Sequence, residues 1–277
     1  MGLRIQNNVE AFNAHRQLTG TAGKAAKAME KLSSGYRVNR AADDAAGLAI
    51  SEKMRGQIGG LAQAQRNAND AISLVQTAEG ALNEVHSMLQ RMRDLKVQYN
   101  NGALSTDDKS AIVAEAKLLA TEVSDIRTKT AFNGITLLDA SGTTTFQVGA
   151  NEGDTIGVSR SDLTGASGVT SAVSDVSGGT GTTNWDALDI TEIDTAIKNV
   201  STIRGDLGAA QNRLEHRLNN LATYQENLVA SESRIRDVDM AAEMVSFTKL
   251  GILQQAGTSM LAQANQAPQN VLSLLRQ

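Results

Sequence analysis

Read in steps of three and four residues, the stretch from Leu61 to Met92 puts Leu61, Ala64, Ala68, Ala71, Val75, Ala78, Leu82, Val85, Leu89 and Met92 on one line, with no polar residue among them. A mean period of 3.5 residues is that of a coiled-coil seam rather than of a broad globular face. At 1.5 Å per residue the seam runs roughly 48 Å, so it asks for a partner helix of similar length. That partner is legible further on: Ile193, Ala196, Val200, Ile203, Leu207, Ala210, Leu214, Arg217, Leu221, Tyr224, Leu228, Ser231, Ile235 and Val238 keep the same period, with Arg217 and Ser231 as the polar exceptions. The chain is expected to run out along the first helix, turn, and come back along the other.

Shorter elements fall between and around these two. Leu18, Ala22, Ala25, Met29 and Leu32 give a thin seam on an N-terminal helix, which Ser33-Ser34-Gly35 interrupts because glycine is a common C-cap and serine a poor interior residue. The next helix resumes within residues 41 to 50, with Asp43 and Asp44 near its positive end, and Asn100-Asn101-Gly102 stops it. Ser105 or Thr106 caps another helix that carries Asp107 and Asp108 in its first turn and the seam Ile112, Ala116, Leu119, Val123 and Ile126, ending before Asn133-Gly134. A short turn makes it an antiparallel neighbour of the helix before it. Phe146, Val148, Ile156 and Val158 alternate with polar residues around a turn at Gly149 to Asp154, which predicts a β-hairpin. Residues 161 to 189 hold Gly, Ser, Thr and Asp but no Lys or Arg, and read as a solvent-facing insertion that buries little. The last stretch carries Leu250, Leu253, Gly257, Met260, Ala264, Ala267, Val271 and Leu274, flanked by Ile252, Leu261, Leu272 and Leu275. That face is wider than one slender partner covers, which predicts association with further copies.

Composition narrows the picture without changing it. Among 277 residues aromatics are 3%, Pro occurs once and Cys not at all. Slender helix pairs can be built from Ala, Leu, Val and Ile, whereas thick cores lean on aromatic area. The single proline leaves the chain free to run as long helices, and Pro268 itself predicts a local irregularity in the last one. Without cysteine no disulfide, thiol nucleophile or Cys-based metal site exists. The net charge of -4 is uneven: residues 1 to 40 carry seven Lys/Arg against Glu10 and Glu30, residues 244 to 277 carry only Lys249 and Arg276, and the acid lies in the middle. Neither basic end has the stacking aromatics that nucleic-acid binding wants. No apolar run reaches the length of a membrane span, and the first twelve residues lack the apolar core of a secretory signal, so if the protein leaves the cell it does so by another route.

Catalysis finds no support. His15, His86 and His216 are far apart and none sits in an HExxH pattern; no GxSxG or P-loop occurs. Asp43 and Asp44 point about 100° apart on a helix and suit a solvated N-terminus better than an acid pair. No enzyme, cofactor or metal site is expected.

Two long stretches carry a family resemblance. LSSGYRVNRAADDAAGLAISEKMRGQI, residues 32 to 58, resembles the N-terminal region of bacterial flagellin, and LQQAGTSMLAQANQAPQNVLSLLRQ, residues 253 to 277, resembles its C-terminus. The likeness extends over roughly residues 1 to 160 and 190 to 277. It implies a mainly α fold: a long antiparallel helical coiled-coil rod with paired terminal helices, one β-hairpin and a small variable insertion. The resemblance implies residues 1–43 and 238–277 as a terminal inner-tube domain and 44–160 with 190–237 as an outer-tube rod with the hairpin near 143–159. Residues 161–189 would be a short outward insertion, making a thin, smooth filament. The implied function is the secreted, extracellular structural subunit that polymerises into the helical filament of the bacterial flagellum for swimming motility; a hook-filament junction protein, with similar ends, is the alternative. A soluble coiled-coil adhesin or sensor ligand acting as a monomer is a further reading, which truncation of the tail would separate.

The resemblance also implies partners: further copies of the chain, a flagellar export chaperone covering the C-terminal helix, the filament cap, hook-junction proteins and the flagellin-sensing Toll-like receptor, with no nucleic acid and no membrane. For the receptor, residues 89 to 95 resemble the stretch read on monomers, so Gln90, Arg91, Leu95 and Glu115 are the candidate contacts, with Asp94 standing where the pattern has Glu. For filament core packing the candidates are Leu250, Leu253, Met260, Leu261, Val271, Leu272, Leu274 and Leu275. The last four also resemble the tail seen by cytosolic inflammasome sensors, with packing as their main role.

Overall fold

A computed structural model describes residues 8–160, 162–163, 185 and 188–275, with backbone alone for 267–275. Among them are five helices and two small antiparallel hairpins, in the order α1 (Val9–Ser34), α2 (Ala45–Tyr99), α3 (Thr106–Lys129), β1 (Ala131–Phe132), β2 (Ile135–Thr136), β3 (Gly142–Gln147), β4 (Thr155–Arg160), α4 (Ile190–Arg236) and α5 (Met240–Leu275). By packing, the chain divides into two compact units, Met1–Gly56 with Asn227–Gln277, and Gln57–Glu226. The divisions fall inside α2 and α4. The reason is local: Glu52, within the first turns of α2, is tied to Arg236 at the end of α4.

In the unit formed by residues 57–226, all ten seam positions of α2 are buried, none more than 4% exposed. Val75 and Leu82 are fully enclosed and share one apolar cluster with Ile193, Ala196, Val200, Leu207 and Leu214 of α4. Polar ties fix the direction of that pairing. Arg93 meets Asp194 at 2.6 Å, Arg204 faces Glu79 at 3.9 Å and Gln65 donates to Gln225 at 2.8 Å, so residue numbers rise on one helix as they fall on the other. The helices are antiparallel. Arg217, the polar exception of the α4 seam, has its own use: Nε donates to the Val148 carbonyl at 3.1 Å and the guanidinium faces Asp154 at 3.5 Å, seating the β3–β4 hairpin. Asn67 of α2 donates to the Gln147 carbonyl at 2.9 Å, and Gly60 of α2 leaves room for Ala150, whose Cβ would stand 3.2 Å from any side chain there.

α3 starts as its sequence predicts. Ser105 accepts from the Asp108 amide while Asp108 Oδ2 accepts from the Ser105 amide, a reciprocal capping box. Ile112, Ala116 and Val123 are buried, but Ala120 takes the fourth core place while Leu119 is only half-buried, a small rotation of the expected seam.

Three expectations need correction. Asn133-Gly134 is more than a helix stop: both residues have positive φ, 48° and 79°, and Phe132 pairs with Ile135 across them, the backbone of a two-residue hairpin. The insertion is not wholly solvent-facing, since Leu163, Trp185 and Leu188 are each 1% exposed in the same apolar cluster. Trp185 meets Tyr99 edge-on at 6.4 Å and its carbonyl accepts from the buried Lys96 ammonium at 2.5 Å, an aromatic anchor that composition by the residue could not reveal. Residues 161, 164–184 and 186–187 lie outside the described residues. Lastly, the α4 seam does not continue evenly to Val238. Tyr224 is exposed, α4 stops at Arg236, and the Val238 amide donates to the Gly35 carbonyl at 3.0 Å.

In the other unit α1 ends at Gly35, whose φ of 75° is the left-handed cap expected, with its amide on the Lys31 carbonyl. Asp239 caps the start of α5, its Oδ1 accepting from the Ala241 and Ala242 amides. α1 and α5 pack antiparallel: Asn8 Nδ2 donates to the Ala264 carbonyl at 2.7 Å, and Leu18 packs so closely on Gly257 that an added Cβ would lie 3.2 Å from Leu18 Cδ1. The backbone of α5 stays helical through Pro268, where an irregularity was expected.

Candidate functional site

The strongest candidate is the face of the α1–α5 pair that points away from the pair's own contact. Over residues 240–275 α5 carries only two charges, Glu243 and Lys249. Its inner line, Leu250, Gly257, Leu261 and Ala264, is half-buried on the side where Leu18 sits. Outside that line Met244, Val245, Ile252, Leu253 and Met260 stand in solvent, Val245 at 71% and Met260 at 61%. α1 adds Val9, Phe12 and Met29, with Phe12 also 71% exposed. Single exposed apolar residues are ordinary, but so many on two helices packed together make this pair the strongest candidate for an interaction surface. Of the expected packing residues, Leu253 and Met260 lie on this open face, whereas Leu250 and Leu261 serve the contact within the pair. The side chains of Val271, Leu272, Leu274 and Leu275 lie outside the described residues. Phe12, Met244 and Val245 were missed; for the two on α5 the signal was the near absence of charge around that helix, while Phe12 on α1 gave none.

A knot closes the same unit where its helices break. The Arg37 amide donates to the Arg236 carbonyl at 2.6 Å, and Arg37 Nη2 to the Ile235 carbonyl at 2.7 Å. Arg236 Nη1 donates to Glu52 at 2.7 Å, with its guanidinium 4.6 Å from the Tyr36 ring centre. The Arg236 hydrogen bond holds the Glu52 carboxyl below the ordinary glutamate range. Sequence reading did not single out these residues, although the breaks at Ser33-Ser34-Gly35 and Asp237-Val238-Asp239 interrupt two seams that the out-and-back path brings together.

The second candidate surface lies on α2 and α3. Arg91 and Glu115 form an exposed ion pair at 2.7 Å, and Gln90 beside them contacts the His86 ring at 3.0 Å. Leu95 does not belong to this surface. It is 1% exposed and packs in the core, because it follows Met92 by three residues on the seam itself.

His15, His86 and His216 sit on α1, α2 and α4, and among the described residues no group of three metal-ligating side chains gathers. A cavity of about 420 Å³ between α1 and the following connector is lined by Lys27, Lys31, Arg37, Asp43 and Asp44. Its charges answer one another: the Arg40 amide, helped by Lys27 and Lys31, holds the Asp43 carboxyl below the ordinary aspartate range. No described helix is long and apolar enough to cross a membrane.

Comparison with known proteins decides the class. Residues 5–143 match the bacterial flagellin N-terminal helical region and residues 190–275 the bacterial flagellin C-terminal helical region. The chain belongs to the bacterial flagellin family. It is similar to the flagellin of Halalkalibacterium halodurans, 54% identical over 98% of this chain and 99% of that one, and to the flagellin of Bacillus subtilis, 48% identical over 99% and 100%. A solved structure assigned as a flagellar hook-associated protein from Vibrio parahaemolyticus aligns over 70% of this chain and 100% of its own with a TM-score of 0.59; at 16% identity that likeness concerns the fold alone. As a flagellin, this chain is a structural subunit of the flagellar filament and not an enzyme. Nothing favours the hook-junction alternative over it.

Proposed function

We propose that this flagellin polymerises by covering the open apolar face of α1 and α5 with the corresponding faces of further copies. The observation that carries the reading is the exposure of Met244, Val245, Ile252, Leu253 and Met260 on α5, with Phe12 exposed on α1, in the single chain. Repeated head-to-tail contacts between copies give a helical filament when the rotation does not close. In this reading the terminal helices form the inner tube, with Val271, Leu272, Leu274 and Leu275 extending the packing row, and the unit built on the α2 seam forms the outer tube that supports swimming. The open face also supports export as an escorted chain: a type III export chaperone would cover α5 before secretion, and the filament cap and hook-junction proteins would meet the same helices outside the cell. Sedimentation and negative-stain microscopy test the reading. The full chain should form long filaments, and a chain lacking residues 250–277 should stay monomeric; filaments from the truncated chain would overturn it.

A second role is favoured by one feature. Arg91 and Glu115, paired and exposed beside Gln90, present a preformed surface on the monomer that supports recognition by the flagellin-sensing Toll-like receptor. Leu95 would support it from beneath rather than touch the receptor. Arg91→Ala monomers should lose signalling in receptor-bearing cells, and unchanged potency would remove the proposal.

A further inference from the structure

The chain contains the dipeptide Asn-Gly twice, at Asn101-Gly102 and at Asn133-Gly134, both exposed and both in turns. We propose that Asn101 is a site of spontaneous deamidation and backbone isomerisation, while the folded structure protects Asn133.

The reaction needs the amide nitrogen of the following glycine to reach the asparagine side-chain carbon. The Gly102 nitrogen gives up its proton to solvent base and bonds to Asn101 Cγ, and the Cγ–Nδ2 bond breaks to release ammonia. A five-membered succinimide remains. Water then opens either of its two carbonyls, leaving aspartate or isoaspartate and no change of oxidation state.

Three observations favour this at Asn101. Asn101 Oδ1 accepts a hydrogen bond from the Ala103 amide at 3.2 Å, which turns the side chain back along the backbone that follows it and puts a backbone donor on the oxygen that becomes negative during attack. Gly102 meets no atom within 4 Å of where a Cβ would be, so the approach is open. The turn is held by local bonds alone: the Asn101 amide donates to the Gln98 carbonyl at 3.0 Å, the Leu104 amide reaches the Asn101 carbonyl only at 3.4 Å, and no strand pairs across it. Cyclisation can therefore rotate the Asn101 backbone without dismantling an element.

Gly134 is as open as Gly102, but the backbone at Asn133 is held. It is locked at φ 48° between Phe132 and Ile135, which pair directly across the turn, with Ala131 and Thr136 paired behind them. The Leu137 amide adds a bond to the Thr130 carbonyl at 3.1 Å. Rotation toward the side chain must first break this ladder. Breaking even one net hydrogen bond slows the reaction about fivefold.

The product carries a new carboxylate just beyond the C-terminus of α2, the negative end of its dipole, where a charge of that sign is unfavourable. Isoaspartate also adds a methylene to the α2–α3 connection.

The test is peptide mapping of the full-length monomer held in mildly alkaline buffer, following the amide-to-carboxyl mass change and isoaspartate at both sites, in native buffer and in urea. The peptide with Asn101 should convert about fivefold or more faster than that with Asn133 in the folded chain, and the two should converge in urea, where the hairpin no longer protects. Asn101→Gln should abolish the fast conversion. Equal native rates, a faster Asn133, or an unconverted Asn101 would each overturn the assignment.

Discussion

The α2–α4 seam and the α1–α5 pair are written in the same heptad code, yet they end in opposite conditions. Along α2 the code is satisfied within the chain: ten consecutive seam positions are buried, and α4, α3 and the β3–β4 hairpin supply the cover. Along α5 it is satisfied on one line only, and no described side chain of that helix is fully buried. The difference lies in what surrounds the seam. α2 flanks its apolar line with charge at Arg66, Asp70, Glu79, Glu84, Arg91 and Arg93, which water can cover; α5 has two charges in its whole length. A narrow apolar line with charged flanks closes as a pair, whereas a helix apolar beyond its pair line leaves a surface open for other copies.

The sharpest way to break that contrast is a crossed pair of substitutions. Leu82→Ala removes a fully buried side chain and should destabilise the monomer by about 2–5 kcal/mol in denaturant unfolding. Met260→Ser changes a residue 61% exposed, so the monomer should unfold within about 0.5 kcal/mol of the parent while filament formation, read by sedimentation, is lost. If Met260→Ser unfolds the monomer as Leu82→Ala does, the open face is not open and the contrast fails.

Next in size is the hairpin's attachment to the self-sufficient unit. Arg217→Met keeps the length of the side chain but removes the donor to the Val148 carbonyl, and should cost about 1–3 kcal/mol by leaving a polar group without its partner. Amide hydrogen exchange should quicken over residues 142–160 while α5 is unaffected; uniform quickening along the chain would show that the two regions do not stand apart.

How much of this was legible is decided by the same contrast. The helices, their stops at Gly35 and Asn100, the Ser105 cap and the β3–β4 hairpin follow from local signals, since period, cap and turn chemistry act within a few residues. Residues whose role depends on distant chain were harder. Arg217 looks like a flaw in a seam until the hairpin carbonyl is seen beside it, Trp185 stands in a polar stretch that gives no hint of its pocket, and Leu95 is a candidate receptor contact by resemblance although its heptad place puts it inside. The Tyr36, Glu52 and Arg236 knot joins residues 16 to 200 positions apart, beyond any periodic signal. Asn133-Gly134 was legible and under-read: the dipeptide is a hairpin turn signal as well as a helix stop.

A smaller effect tests the self-sufficient unit at a helix end. Ser105→Ala deletes the acceptor for the Asp108 amide and the partner that holds the Asp108 carboxyl below its ordinary range, and should cost about 1 kcal/mol in thermal or denaturant unfolding. Because α3 lies wholly within that unit, filament formation should persist at temperatures below the new midpoint.

The smallest effect belongs to the incomplete unit and to pH. Glu52 is held below its ordinary range chiefly by the hydrogen bond from Arg236, so its folded state binds protons less readily than the unfolded chain. Its contribution is therefore present in full above the ordinary glutamate range and fades as the pH falls through the lowered folded value. The pair is open to water, which keeps the contribution small and makes it weaken with added salt. Comparing parent and Glu52→Gln by hydrogen exchange around residues 35–56 and 232–240, the two chains should differ at neutral pH and converge in acid. A difference that grows in acid would reverse the sign and remove the Arg236 pair as its cause, leaving the Arg37 backbone bonds and the Tyr36 ring contact to hold the knot.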